Sequence, residues 1–497
     1  MRPTPARFAV ILVLGALVGA CGSSASPSPG AVASEPALTP ASVAAVPRPT
    51  PSATAATPTA TATAAATPVP PSASAALPIR GSARELSAAN VYLAPSADGG
   101  VYVSIPVRKG PSRLVLLDAT GRPRPGWPIA IKGTTECGPA MPVPDGTVRI
   151  VCGMKAFSFG ADGRLMDGWP VDLHEGTTSG LAGDELVNVD ERYLTDEDSG
   201  TVSHDAIVTA IAADGTALSS PPIGLFDRCC DREWAIGPDG IAYGVGRPTE
   251  GSNRTTVTAL GTSGVVSEWN VDVAGSGSLP AFGPNEELIL AFGSDARHST
   301  RVAEISQSGE AITSAAVALR SVDLNSEGNT GDCSGSIGLP PAPLVSGDGT
   351  TILYSDLDTA MYRLDRSLAA ARGWPFEPGV SPVTPTPGLE TEHEAGYCPI
   401  PLAPVVGPDG TLVVALEAAN PKVGGSLVAV GADGRVRAGW PVGLKRPGSA
   451  FWAMAAGPDG TTYALAIEPE SGGKSSGTVL AIAPHSTVLW STTIVEP

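Results

Sequence analysis

Histidine, basic residues and long apolar runs are all scarce in this chain of 497 residues, and aromatic residues make up only 5% of it. The histidines are His174, His204, His298, His393 and His485, none spaced as a metal-ligand pair or beside a nucleophile. There is no Gly-x-Ser-x-Gly, phosphate loop, dinucleotide fingerprint or Cys-x-x-Cys, so no catalytic residue can be named from motifs. Lys and Arg number 31 against 49 Asp and Glu, a net charge of −18. A surface this acidic disfavours nucleic acid and anionic headgroups and favours cations or basic partner surfaces. The longest apolar run, Phe8 to Val18, is too short to cross a bilayer.

What the chain does have is turns, repeated eight times. Each unit runs a hydrophobic strand into a first turn: Asp98-Gly99, Pro144-Asp145-Gly146, Gly183-Asp184, Pro238-Asp239-Gly240, Pro284-Asn285, Asp348-Gly349, Pro408-Asp409-Gly410 and Pro458-Asp459-Gly460. A second strand and a second turn follow: Asp118–Gly121, Ala161–Gly163, Ala213–Gly215, Thr262–Gly264, Gln307–Gly309, Asp365–Ser367, Ala432–Gly434 and Pro484–Ser486. Asp-Gly supplies the left-handed turn conformation that β-branched neighbours resist. Two hairpins make four strands, the blade of a β-propeller.

Most units place a tryptophan at a similar offset in the outermost strand: Trp127, Trp169, Trp269, Trp374, Trp440 and Trp490, four of them in Gly-Trp-Pro. A flat ring at a repeated position is suited to bridging the gap between twisted neighbouring sheets. The proline suits a strand edge, because it donates nothing to a ladder.

These turn-and-tryptophan units, Asp118-Ala119-Thr120-Gly121 with Trp127 and Ala432-Asp433-Gly434 with Trp440 above all, resemble the repeat of the quinoprotein-like (PQQ-like) propellers. The resemblance covers most of residues 88–497. It implies an all-β propeller fold, and the count of hairpin pairs makes it a single propeller of eight four-stranded blades, with seven as the alternative if one unit's pair of hairpins is atypical. That family includes periplasmic quinone-dependent dehydrogenases and non-enzymatic lipoprotein scaffolds, between which fold alone does not choose.

At the N-terminus, Arg2 and Arg7 precede the apolar run, which ends in Val18-Gly19-Ala20-Cys21. This resembles the bacterial lipobox, and the resemblance implies diacylglycerol on Cys21, loss of residues 1–20 and acylation of the new terminus. Two or more acyl chains give stable anchoring where one does not. Residues 21–79, made largely of Ser, Pro, Ala and Thr, lack the apolar bulk to fold and are expected to be a solvated stalk. The propeller is placed at 80–497, outside the cytoplasm on a bacterial cell membrane.

Six further cysteines in an exported chain read as disulfides. Cys137 and Cys152 flank the Pro144-Asp145-Gly146 turn and are expected to pair across the open end of the hairpin. Cys333 with Cys398 leaves Cys229 and Cys230 as a vicinal pair, while cross-pairing of the four is the alternative. In quinoprotein alcohol dehydrogenases, which the fold resembles, a vicinal disulfide lies against the cofactor. The calcium-site carboxylates and catalytic Asp of those enzymes have no counterpart motif here.

In a four-stranded meander both hairpin turns lie at one end, and the remaining connections lie at the other. The long segments Glu191–His204, Arg247–Arg254, Ser321–Ser336, Val380–Tyr397 and Glu468–Ser476 are therefore expected together on one face, the natural place for binding. Its candidate residues are Asp190, Glu191, Asp196, Glu197, Asp198, Asp227, Asp231, Glu392, His393 and Glu394. Asp323, Asn325 and Glu327 have the opening spacing of an EF-hand calcium loop, but position twelve is Ser334 rather than the bidentate carboxylate.

The expectation is a lipid-anchored, monomeric binding or scaffold protein with a protein or cell-envelope partner, no nucleic acid and no cofactor. A PQQ- or calcium-dependent oxidoreductase is the alternative, and a hydrolase or lyase acting on cell-surface polymers the third.

Overall fold

The computed structural model describes residues 91–495 except 107–109, 133–136, 175, 196–201, 226–232, 247–253, 275, 295–298, 308, 318–341, 355–359, 378–402, 417–422 and 471–474. The described residues form an all-β, eight-bladed propeller with no helix. Blades 1 to 8 occupy residues 92–131, 141–172, 176–224, 233–274, 276–317, 344–376, 405–443 and 450–495. Each blade is an antiparallel meander taken from one continuous stretch of chain. The fourth strand of blade 3 is split into Ala217–Ser219 and Ile223–Gly224, and the first strand of blade 5 into Ser276–Gly277 and Ala281–Phe282. In blade 6 the fourth place is taken by two isolated bridges, Leu364 to Ala370 and Met361 to Phe376.

Apart from the two-residue turns Gly183-Asp184 of blade 3 and Thr262-Ser263 of blade 4, the hairpin turns are built alike from blade to blade. In the first hairpin of blade 2, Val143 N–H donates to Thr147 O (2.9 Å) and Gly146 N–H to Val143 O (3.0 Å). Asp145 Oδ1 accepts from the Thr147 N–H at 2.8 Å, so the side chain completes what the backbone leaves open. The residue before the returning strand is left-handed, as at Gly146 (φ 88°), which is why glycine recurs there. Three turns use another residue at that place: Glu286 (φ 65°), Leu368 (φ 58°) and Ser486 (φ 71°). They are the units whose turns read as least regular in the sequence, and in blade 6 the left-handed residue is Leu368, one place beyond the expected Asp365–Ser367 turn.

Neighbouring blades are fastened by the Gly-Trp-Pro unit. The indole N–H of Trp127 donates to Ala161 O (3.0 Å), that of Trp169 to Ala213 O (3.1 Å), that of Trp374 to Ala432 O (3.0 Å) and that of Trp440 to Pro484 O (3.1 Å). In every case the acceptor belongs to the second turn of the following blade. The glycine before the tryptophan lies against the same turn, so a Cβ on Gly373 would sit 2.1 Å from Asp433 O. Each indole thus both fills the gap and finds its hydrogen-bond partner, and burial of the enclosed rings of Trp127, Trp169 and Trp440 is worth roughly 3 kcal/mol each.

Apolar clusters between adjacent blades make up the core. One of them closes the ring: Val101, Val103 and Val115 of blade 1 pack with Tyr463, Leu465, Val479 and Trp490 of blade 8. Tyr463 OH donates to Gly99 O (2.7 Å) and Thr492 Oγ1 to Gly121 O (2.5 Å) across the same seam. Closure is by packing sheet on sheet, with no strand exchanged between the blades.

Candidate binding face

A meander fixes which end of the propeller each connection reaches. The uniform hairpin turns lie at one end, and the links from second to third strand and from blade to blade lie at the other. At the second end the intervals between successive strands are long, as from Val317 to Leu344 and from Phe376 to Val405. Met154, 60% exposed, and Val423, 44% exposed, are large apolar side chains presented there.

Two of the segments expected as loops are strand at both ends. In blade 3 the second strand extends through Thr195 and the third starts at Val202, paired from Leu186–Ile211 up to Thr195–Val202. In blade 8 strands run through Pro469 and resume at Ser475. The cause in blade 3 is alternation: Val187, Val189 and Glu191 face blade 4, and the charges at 190 and 192 lie on the other side of the sheet. Asp190 and Glu191 therefore belong to a strand, not to a solvated acidic loop, and Asp190 is buried.

That strand carries the polar cluster which the described residues bring together at this end. The Glu191 carboxylate accepts from the indole N–H of Trp234, in the first strand of blade 4, and its Oε2 lies 3.3 Å from His204 Nε2. Both side chains of the Glu191–His204 pair are nearly enclosed. On the opposite side of the sheet Arg192 Nε donates to Asp190 Oδ2 at 2.9 Å. The buried carboxylate holds a guanidinium whose side chain stays 37% exposed, a donor available to an acceptor on a partner. In the link from blade 7 to blade 8, Arg446 grips Glu470 of blade 8 with both Nη atoms, and Ser476 Oγ donates to the same carboxylate at 3.3 Å.

The Cys137–Cys152 disulfide is present, beside an antiparallel bridge between the two residues. It ties the entry of blade 2 to the end of that blade's second strand. Ser104 Oγ of blade 1 donates to Gly138 O at 2.9 Å next to it. The remaining sequence candidates, Cys21, Asp196, Glu197, Asp198, Asp227, Cys229, Cys230, Asp231, Asp323, Asn325, Glu327, Cys333, Glu392, His393, Glu394 and Cys398, lie outside the described residues. Among the described residues no group of three His, Cys, Asp or Glu side chains is placed to hold a metal ion.

Sequence reasoning missed two buried arginines. Arg149 reaches from blade 2 to Ile211 O of blade 3 (3.3 Å), its guanidinium 5.5 Å from the centre of the Trp169 ring. Arg363 reaches from blade 6 to Gly410 O of blade 7 (2.6 Å) and to Asp348 Oδ2 (3.0 Å). The available signal was a lone Arg inside Val-Arg-Ile-Val and Met-Tyr-Arg-Leu, strands otherwise apolar or aromatic. The roles of Trp234 and Arg192 had no such signal.

No family model matches the chain, and no curated protein matches it. Solved structures do. One described as a eukaryotic initiation factor is 11% identical over 77% of this chain and 93% of its own, with a TM-score of 0.42. The virginiamycin B lyase of Staphylococcus aureus is 14% identical over 56% of this chain and 83% of its own, with a TM-score of 0.35. A quinoprotein alcohol dehydrogenase-like protein of Bacteroides thetaiotaomicron is 10% identical over 82% of this chain and 66% of its own, with a TM-score of 0.29. These neighbours differ in function from one another, and likeness at this level carries no argument about activity.

Proposed function

We propose that the protein is a membrane-anchored binding or scaffold module, held outside the cytoplasm and engaging a protein or other cell-envelope partner through the end of the propeller opposite its hairpin turns. The observation that carries this reading is the unequal construction of the two ends. One is a set of largely uniform turns; the other has the long intervals, the extended blade 3 hairpin and the Asp190-held Arg192. Variable connections on a rigid scaffold are where recognition is usually built. The anchoring half of the proposal rests on Arg2, Arg7, the apolar run and Cys21.

A pull-down from solubilised envelopes tests the binding half, comparing the full chain with one trimmed of residues 380–397. The proposal expects a partner that is lost or weakened on trimming, with the propeller still folded. Unchanged capture, or a bound quinone chromophore at stoichiometric level, overturns it. For the anchoring half, acyl labelling is expected with Cys21 and absent in Cys21→Ala; a soluble, unlabelled chain with Cys21 intact contradicts it.

A further inference from the structure

Sheet edges present unpaired backbone groups, and most proteins guard them with proline, charge or a bulge. In blades 1, 2, 6 and 7 the outer edge is headed by the proline of Gly-Trp-Pro, and in blade 3 Pro221 and Pro222 separate the two outer pieces. Blades 4, 5 and 8 end instead on Gly264–Ala274, Ala311–Val317 and Val488–Val495, which contain no proline, lysine or arginine. Blade 4 has Glu268 and Asp272 in its edge strand, and the pairing of the outer strands in blades 4 and 8 shifts register at two places. Among the described residues blade 5 is the least defended of the three. Its edge strand is free of charge, and its ladder runs without interruption from Thr300–Val317 to Glu304–Thr313, with one shift at the turn end.

We propose that two copies of the chain join through this edge, Ala311–Val317 pairing antiparallel with itself about a twofold axis at Ser314. Alternation along a strand supports that register: residues equally far from Ser314 share a face, so Ile312 meets Ala316 of the second copy and Ser314 meets itself. Ile312 is 56% exposed, and Ser314 and Ala316 are also exposed. Their small side chains let the strands approach, and the join uses up both edges, so assembly stops at two. Charge favours a second copy over a basic strand-forming peptide as occupant, because an uncharged strand offers no carboxylate to a cation. In a chain of net charge −18 the seam is then a contact between copies that sets no like charges opposite one another. The rest of the surface repels, so the dimer strengthens as salt rises, whereas a basic partner would weaken. This replaces the monomer expected from the sequence and is independent of the partner face.

Sedimentation equilibrium of the full chain in detergent, at low and high salt, tests it together with mild oxidation of Ser314→Cys. The proposal expects a monomer–dimer equilibrium shifted toward dimer by salt and a covalent dimer of Ser314→Cys well above the unsubstituted background. Ile312→Lys should weaken dimerisation by about tenfold or more by charging the edge, with its circular dichroism unchanged. A single monomeric species at both salt concentrations, or no extra cross-link from Ser314→Cys, overturns it. Because a cysteine at an exposed strand position could alter the edge, Ile312→Cys combined with Ala316→Cys gives a second cross-link with the same expectation.

Discussion

Blades 1, 2, 6 and 7 differ from blades 3, 4 and 5 in how they hold their neighbours. In the first group the Gly-Trp-Pro unit sets the blade spacing with one ring, one hydrogen bond and one glycine-to-backbone contact. In the second group the strands are longer, up to Glu185–Thr195 and Gly264–Ala274, and each interface has its own solution. Glu191 takes the indole N–H of Trp234 between blades 3 and 4. Between blades 4 and 5 Trp269 lies over Gly309, as Trp490 lies over Gly121, yet its buried N–H has no acceptor among the described residues. Charges divide the same way. Asp98, Asp348 and Asp409 pair with Arg124, Arg363 and Arg437, whereas Asp239 and Glu286 share the amide of Gln307. The repeat supplies fixed fastenings on one arc; the other is freed to vary and to carry the polar cluster.

The sharpest test of the clasp is steric. Gly373 has φ 91° and its added Cβ would meet Asp433 O, while Gly183 has φ 61° with nothing within 4 Å. Gly373→Ala should therefore cost roughly 3 kcal/mol or more in denaturant unfolding and Gly183→Ala about 1 kcal/mol, since both pay backbone strain but only one collides. Equal losses would break the comparison.

Replacing Arg363 with Met leaves Gly410 O and Asp348 without their donor and should cost about 2 kcal/mol by the same measurement. Smaller still is the indole bond. Both Trp440→Phe and Trp269→Phe lose ring contact, but Trp440→Phe should cost about 1 kcal/mol more, because only Trp440 forfeits a hydrogen bond. Matching losses would mean that ring size alone fastens the blades.

The two arcs should also answer acid in opposite directions. Partial burial works to raise Asp348, but hydrogen bonds from Ser346 and Thr350 and the Arg363 charge outweigh it and hold the carboxyl at about 2. Its stabilisation is complete above the ordinary 3.8 and lost as pH falls toward about 2. Burial, with the Glu287 charge, pushes Glu304 above its ordinary 4.5. Ionised Glu304 is therefore destabilising above that raised value, and the penalty disappears as pH falls to the ordinary one. Urea midpoints across pH should show Asp348→Asn flattening the acid loss and Glu304→Gln stabilising near neutrality but not below pH 4.5.

Much of this architecture was legible because its devices are local. Asp-Gly marks the left-handed corner, Gly-Trp-Pro marks the clasp, and Cys137 and Cys152 bracket one hairpin. Where a device is not local the sequence misleads. Leu368 occupies a corner that glycine normally marks, in a turn whose Asp365 carboxylate accepts from Ser367 and Ala369 N–H just as Asp118 accepts from Thr120 and Arg122 in a turn with Gly121. Asp190 and Glu191 read alike as candidates on one face until the second and third strands of blade 3 pair, after which one acid faces blade 4 and the other holds Arg192. Arg149 and Arg363 look anomalous within their strands, since their acceptors lie 62 and 47 residues away.

Photo-cross-linking in intact cells tests the account's main functional claim most directly, with a photoreactive residue placed at Met154 or Val423 on one end and at Leu218 or Val436 beside the hairpin turns of the other. All four side chains are exposed, so reach is equal. The account predicts adducts from positions 154 and 423 and none from 218 and 436. Adducts confined to 218 and 436 would contradict it.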